Sequence, residues 1–251
     1  MIGFSCVYAI LSYKRKSIYE DLFYQLKEYC DHKEPRSITF ELAAINAAAT
    51  VFPSSNRNGC FFHLSQCLYR KIQVLGHQSL YGNNKEFAQK CKMVAALAHV
   101  PPAEVLAVFK QLKENLGTVK ELEQFVSYFE INYVGEGSSG KKPKFPIEFW
   151  NVRCQVVGDL PKTTNYVEGW HKRMSHAVGC THLTLAALIE ILKKEHSITN
   201  FLVIHSDMRV EKVKSKKYAK TSDRIKRMTL DYDKYRPLYN LELIASNVKL
   251  V

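Results

Sequence analysis

Apolar residues in the first third of the chain come in short runs that alternate between two periods. Phe4–Leu11 is rich in β-branched and aromatic residues and closes on a polar turn, which predicts a strand. Ser17 stands where a helix N-cap belongs, with Glu20 three residues on as its capping-box partner. Ile18, Leu22, Phe23 and Leu26 share one face of the helix opened there, and it should end near Cys30. Pro35 interrupts the pattern, and Arg36–Thr39 is a short strand candidate. Glu41–Val51 is alanine-rich and strongly helical. A polar loop over 53–59 leads to Cys60-Phe-Phe-His63, apolar enough to predict strand, and a helix then runs from about Leu64 to Leu75. The order strand, helix, strand, helix, strand, helix over residues 1–76 predicts an α/β unit, a sheet flanked by helices.

The pattern changes after Gly76. Lys85–Ala98, Ala103–Asn115 and Val119–Glu130 read as three amphipathic helices, punctuated by Pro101-Pro102 and Gly117. A Gly- and Ser-rich loop begins at Gly135 and is the clearest linker in the chain. Helices are predicted from Asn165 to about Ala177 and from Leu183 to about His205. Lys212–Arg227 then carries eight basic residues with almost no apolar stripe, and Leu230–Val251 reads as irregular.

Composition narrows the class without touching the fold. Of 251 residues, 46% are hydrophobic and 24% charged, which excludes a disordered or collagen-like chain. No apolar run approaches the ~18 residues of a membrane span, so no membrane partner is expected. The basic run Lys14–Lys16 follows the apolar Phe4–Leu11 instead of preceding it, opposite to a secretory leader. Seven scattered cysteines, an odd number, read as reduced intracellular thiols and not as a disulfide framework. A formal net charge of +12 suits a polyanionic partner.

Seven segments in order, VYAILSYKRKSIYEDLF, ITFELAAINAAATVFP, GCFFHLSQCLYRKIQ, MVAALAHVPPAEV, FVSYFEINYVG, KKPKFPIEFWNV and PKTTNYVEGWHKRM, together resemble the catalytic domain of Mutator-like element transposases. The resemblance as a whole covers about residues 4–205, most of the chain. The resemblance implies a partial, N-terminally truncated RNase H-like fold, a mixed sheet flanked by helices, with an all-helical insertion and a helical C-terminal part. It divides the chain into a truncated core over 1–76, the insertion over 77–133, a loop over 134–147, helices completing the core over 148–205, and a basic tail over 206–251. It also implies DNA as partner, bound mostly through its phosphate backbone, and the nucleus as location.

Such enzymes cut and join DNA with two metal ions about 3.5–4 Å apart, held by carboxylates. Mg²⁺ and Mn²⁺ want oxygen ligands, so Thr or Ser cannot replace the acids. The family carries two Asp and one Glu. The first Asp belongs to a strand ahead of Phe4–Leu11 and has no counterpart here. The second belongs in a T-D-F-E-like stretch, where this chain reads Ile38-Thr39-Phe40-Glu41 and leaves Thr39 at the metal position. The Glu is matched by Glu168. Glu41 falls at a helix start, where an acid more often serves the helix dipole. One acid of three holds no metal pair, so no cofactor is expected as written, and Mg²⁺ or Mn²⁺ only if the chain is active.

Further candidates each carry a bland reading. Without the resemblance, Glu168 is a solvated helix acid paired with Lys172. Cys60-x-x-His63 with Cys180-x-His182 has the donor types of a zinc site, but the pairs lie far apart, and a buried thiol with a hydrogen-bonded strand-end histidine is favoured. Lys212, Lys214, Lys216, Lys217, Arg224, Lys226 and Arg227 read as a phosphate-binding arm or nuclear signal, or else as a solvated tail. Arg70, Lys71, His171, Lys172 and Arg173 are helix-borne basics that line a DNA channel or simply face water.

Three functions follow. The first is a transposase-derived DNA-binding remnant that neither cleaves nor joins DNA. The second is a fragment of an active metal-dependent transposase whose N-terminal strands are absent from the gene model. The third is a helical protein-interaction module without DNA function. Oligomeric state is open.

Overall fold

The computed structural model describes residues 7–35, 37–38, 42–57, 60–117, 120–135, 142–159, 165–179, 183–206 and 216–250. Helices dominate: α1 (Lys16–Tyr29), α2 (Leu42–Val51), α3 (Phe61–Val74), α4 (Gln78–Asn83), α5 (Lys85–Ala96), α6 (Val105–Leu116), α7 (Lys120–Phe129), α8 (Ile147–Trp150), α9 (Arg153–Val157), α10 (Asn165–Val178), α11 (Leu185–Ser206), α12 (Lys216–Leu230) and α13 (Pro237–Ala245). Extended pairing among the described residues is a two-residue parallel bridge, Ser37–Ile38 against Asn56–Arg57. That is shorter than any strand a sheet is built from.

The expected RNase H-like mixed sheet is therefore corrected: the described chain is a helical assembly. Of the expected first strand, residues 4–6 lie outside the described residues and residues 7–11 form neither strand nor helix. The Cys60–His63 strand is replaced by the start of α3, with Cys60 at its N-cap. The physical reason is visible in the burial: Leu64, Leu68 and Ile72 recur every four residues on one buried face, and Phe61 extends the same helix against the core. A short apolar run fits either period, and the longer helical stripe decides. Leu230–Val251, read as irregular, contains α13, with Leu241, Ile244 and Ala245 fully buried.

The main core gathers α3, α5, α6, α7, α9, α12 and α13. Amphipathic spacing explains the outer members: α6 buries Val105, Val108, Phe109, Leu112 and Leu116, and α7 buries Leu122, Phe125, Val126 and Phe129. The second half of α5 and the 3₁₀ turn after it, Met93–Val100, are buried at every position, as befits a central element. Its alanines leave room for neighbours on all sides. One helix end shows why the chain turns where it does. Past α3, Gly76 takes φ 76°, its N–H bonds to the carbonyl of Gln73, and the N–H of His77 bonds to that of Ile72. This is a Schellman stop, and glycine enters the left-handed region without the Cβ penalty.

Later segments lock onto this core through backbone carbonyls. The Val152 N–H donates to Ala98 O at 2.8 Å and the Asn151 amide to Val100 O at 2.7 Å. Arg153 donates to His99 O at 3.2 Å and to Thr229 O at 2.7 Å, and its guanidinium lies 5.4 Å from the Tyr232 ring centroid. It thus satisfies carbonyls at the ends of two helical segments, where a cation also suits the helix dipole. After α7, a π-helical turn over Glu130–Val134 places Tyr133 between Phe129 and Phe145, and the Trp150 indole N–H donates to Tyr133 O at 2.9 Å.

A separate small core joins α1 and α2 through Phe23, Ala44, Ala47, Ala48, Val51 and Phe52. Lys27 closes its open end, bonding Glu34 at 2.8 Å and Val51 O at 2.9 Å. Ser17, expected as the α1 N-cap, lies inside the helix, and Arg15 holds the cap position.

Candidate nucleic-acid interface

Helix α12 buries Ile225 and Thr229 against the main core and turns its other side outward. Lys220, Arg224 and Arg227 are exposed on that side, at spacings of four and three that place them in one stripe. Asp223 lies beside the stripe and is exposed as well, while Lys226 points away and pairs with Asp159. Three exposed cations one helical turn apart form a ladder that suits successive phosphates. Lys220 lay within the basic run but was not among the residues singled out from sequence. Its register with Arg224 was the available signal. Lys212 and Lys214 lie outside the described residues, and Lys216 and Lys217 open α12 with side chains outside them.

The other predicted cations have different settings. Arg70 is exposed on α3, and Lys71 is half-buried with its ammonium 5.2 Å from the Tyr128 ring centroid. Lys71 also borders an open cleft of about 520 Å³ with Glu123, Ser127 and Asn132. One cation against one acid gives that cleft no preference for anions. Arg173, on α10, commits its fork to Glu195 of α11, at 2.9 Å from Nη2 and 3.3 Å from Nε. The Trp170 indole donates to the same carboxylate at 3.0 Å. These bonds, the one from Arg173 foremost, hold the Glu195 carboxyl below its ordinary value against the opposing effect of burial. The Tyr8 ring lies tilted against that of Trp170, with ring centroids 5.7 Å apart. The cluster fastens α10 to α11 and leaves Arg173 little capacity for a phosphate.

Glu168 lies on α10, its side chain outside the described residues, as are the side chains of His171 and Lys172. Thr39, Cys180 and His182 lie outside them altogether. Cys60 and His63 sit in the first turn of α3, with Cys60 buried and the His63 ring 5.8 Å from that of Phe62. Among the described residues, no group of three or more His, Cys, Asp or Glu is placed to hold a metal ion. Burial pushes the Cys91 thiol up to about 12, an inert core thiol. No described helix is long and apolar enough to cross a membrane.

Comparison with protein-family models, with curated proteins and with solved structures finds no match to this chain.

Proposed function

We propose that this protein binds DNA through the phosphate backbone without cutting or joining it, as a nuclear protein of Mutator-like transposase descent. The observation that carries the reading is the exposed Lys220–Arg224–Arg227 stripe on α12, in a chain of net charge +12. The seven ordered segments support the descent. Thr39 in place of an acid supports the loss of catalysis. Mg²⁺ or Mn²⁺ belongs to the alternative of a cleaving fragment, which predicts Mn²⁺-dependent nicking of supercoiled DNA by the full chain.

Anisotropy of a labelled 20-bp duplex, titrated with the full chain across a salt series, tests the binding. The logarithm of the association constant should fall linearly with log salt, with a slope of about −0.9 for each phosphate neutralised. Replacing Lys220, Arg224 and Arg227 together by Gln should make that slope shallower by roughly 2–3 while leaving the far-UV spectrum unchanged. Binding that ignores salt, or is absent at low salt, refutes the proposal. An unchanged slope in the triple variant removes α12 from it.

A further inference from the structure

The turn over residues 231–236, between α12 and α13, holds a tyrosine out into solvent. Tyr235 is 82% exposed, and Tyr239, four residues on in the first turn of α13, is 56% exposed. Tyr232 of the same turn faces inward instead, its hydroxyl donating to Glu104 at 2.9 Å. The turn is pinned at several points. The Asp233 carboxylate accepts from the Tyr235 N–H at 2.9 Å, and the Asp233 carbonyl accepts from the Arg236 N–H at 3.1 Å and from the Asn240 amide at 2.8 Å. Pro237 and Asn240, just beyond, are buried. An aromatic ring presented on a fixed backbone loses little freedom when a ligand packs on it.

The surroundings are basic. Lys234 and Arg236 flank Tyr235 and are both exposed, with the Lys234 ammonium 5.0 Å from the ring centroid. From Lys220 to Tyr239 the chain holds six Lys or Arg against three Asp, and the carboxylate of Asp233 is engaged with the turn backbone. The Asp231 N–H bonds to Arg227 O at 2.8 Å, at the end of the Lys220–Arg224–Arg227 stripe. Four residues of chain reach at most about 14 Å, so the Tyr235 backbone stands within that distance of Asp231. We infer that Tyr235, with Tyr239 four residues on, is a stacking platform for unpaired bases, and that this surface takes single-stranded DNA. A duplex offers the stripe its phosphates but keeps its base faces stacked inside. A single strand offers both, and each of its bases has a face that stacks on an aromatic ring. Exposure alone does not select the residue: Tyr29 is 83% exposed, but its neighbours include the exposed acids Glu28 and Asp31. The inference rests on DNA binding by α12 and adds base contact to it.

Anisotropy of a labelled 20-nucleotide oligo(dT) and of the 20-bp duplex, each titrated with the full chain across a salt series, is the test. Tyr235→Ala should weaken oligo(dT) binding by about 5–150-fold at every salt concentration, with the salt slope unchanged because stacking releases no counterions. Duplex binding should stay within about twofold of wild type, since a duplex keeps its base faces to itself. Tyr235→Phe keeps the ring and should keep the affinity, and Tyr29→Ala should leave both titrations unchanged. The substitutions at 235 retain the N–H that bonds Asp233 and remove little from the packed interior, so the fold is not at stake. A Tyr235→Ala loss on oligo(dT) under about fivefold, an equal loss on the duplex, or an equal loss in Tyr235→Phe overturns the inference and leaves phosphate binding by α12 in place. A wild-type chain that binds the duplex but not oligo(dT) does the same. A chain that binds neither DNA at low salt overturns both.

Discussion

Replacing Ile244 with Ala probes whether residues 237–250 belong to the main core. Ile244 is fully buried on α13, in the same cluster as Cys91 and Val94 of α5 and Val108 of α6. The substitution removes three carbon groups, about 2.4 kcal/mol of transfer free energy at ~0.8 kcal/mol each. The cavity left in a packed interior adds to this, for a total of about 3–4 kcal/mol. Against a total stability of about 5–15 kcal/mol, such a loss is large. Urea denaturation followed by both tryptophan fluorescence and far-UV circular dichroism should show a lower midpoint at unchanged slope. The two probes should coincide, because Trp150 lies in the same cluster. Leu230→Ala, at a half-exposed position, is the control and should cost under ~1 kcal/mol. A loss under ~1 kcal/mol for Ile244→Ala, or a separate early transition for α13, would refute the placement of this helix in the core.

Two further predictions concern local features. Because the Glu195 carboxyl is held down by Arg173, it contributes stability above the ordinary carboxylate value of about 4.3, lost as pH falls through its lower folded value. Glu195→Gln should cost about 1–2 kcal/mol near neutrality, below the figure for a fully buried pair because Arg173 is half exposed, and the gap to wild type should narrow below about pH 4. A gap unchanged down to pH 3 would remove the ion pair as its cause. Asp31 stops α1 with φ 53° and a bond from its N–H to Glu28 O, a left-handed position that glycine takes without strain. Asp31→Gly should therefore stabilise the protein by about 0.5–1 kcal/mol in the same urea assay, and a loss would show that the aspartate side chain compensates its own backbone.

What could be read from the sequence divides by length of pattern. α5, α6, α7, α10 and α11 match their expected spans closely, because ten or more residues of 3.6 periodicity leave no competing reading. The sheet failed because it was assembled from runs of four to eight apolar residues. Cys60–His63 has no period of its own, and only Leu64, Leu68 and Ile72 downstream reveal it as helix. Segment 230–251 hid α13 because its apolar positions, Leu241, Ile244 and Ala245, are spaced for a helix but few in number. At the candidate interface the basic run was plain, but its use was not. Lys226 is spent on Asp159 and Arg173 on Glu195, partners 67 and 22 residues distant. Such pairings arise only from tertiary packing. The resemblance to Mutator-like transposases named residues, but their expected sheet scaffold does not form among the described elements.

The Gln89 side chain on α5 donates to Glu242 O at 2.9 Å, across 153 positions of the chain. During synthesis the central helix therefore emerges long before the helix that covers it. At ~5–20 residues per second, the interval is on the order of ten seconds. Throughout it, the apolar side of α5 that α13 will occupy stays open to solvent and to other nascent chains. Closure of contacts so distant in sequence is also intrinsically slow. The yield of folded protein should thus depend on how well this unfinished interior is shielded until residues 237–250 arrive.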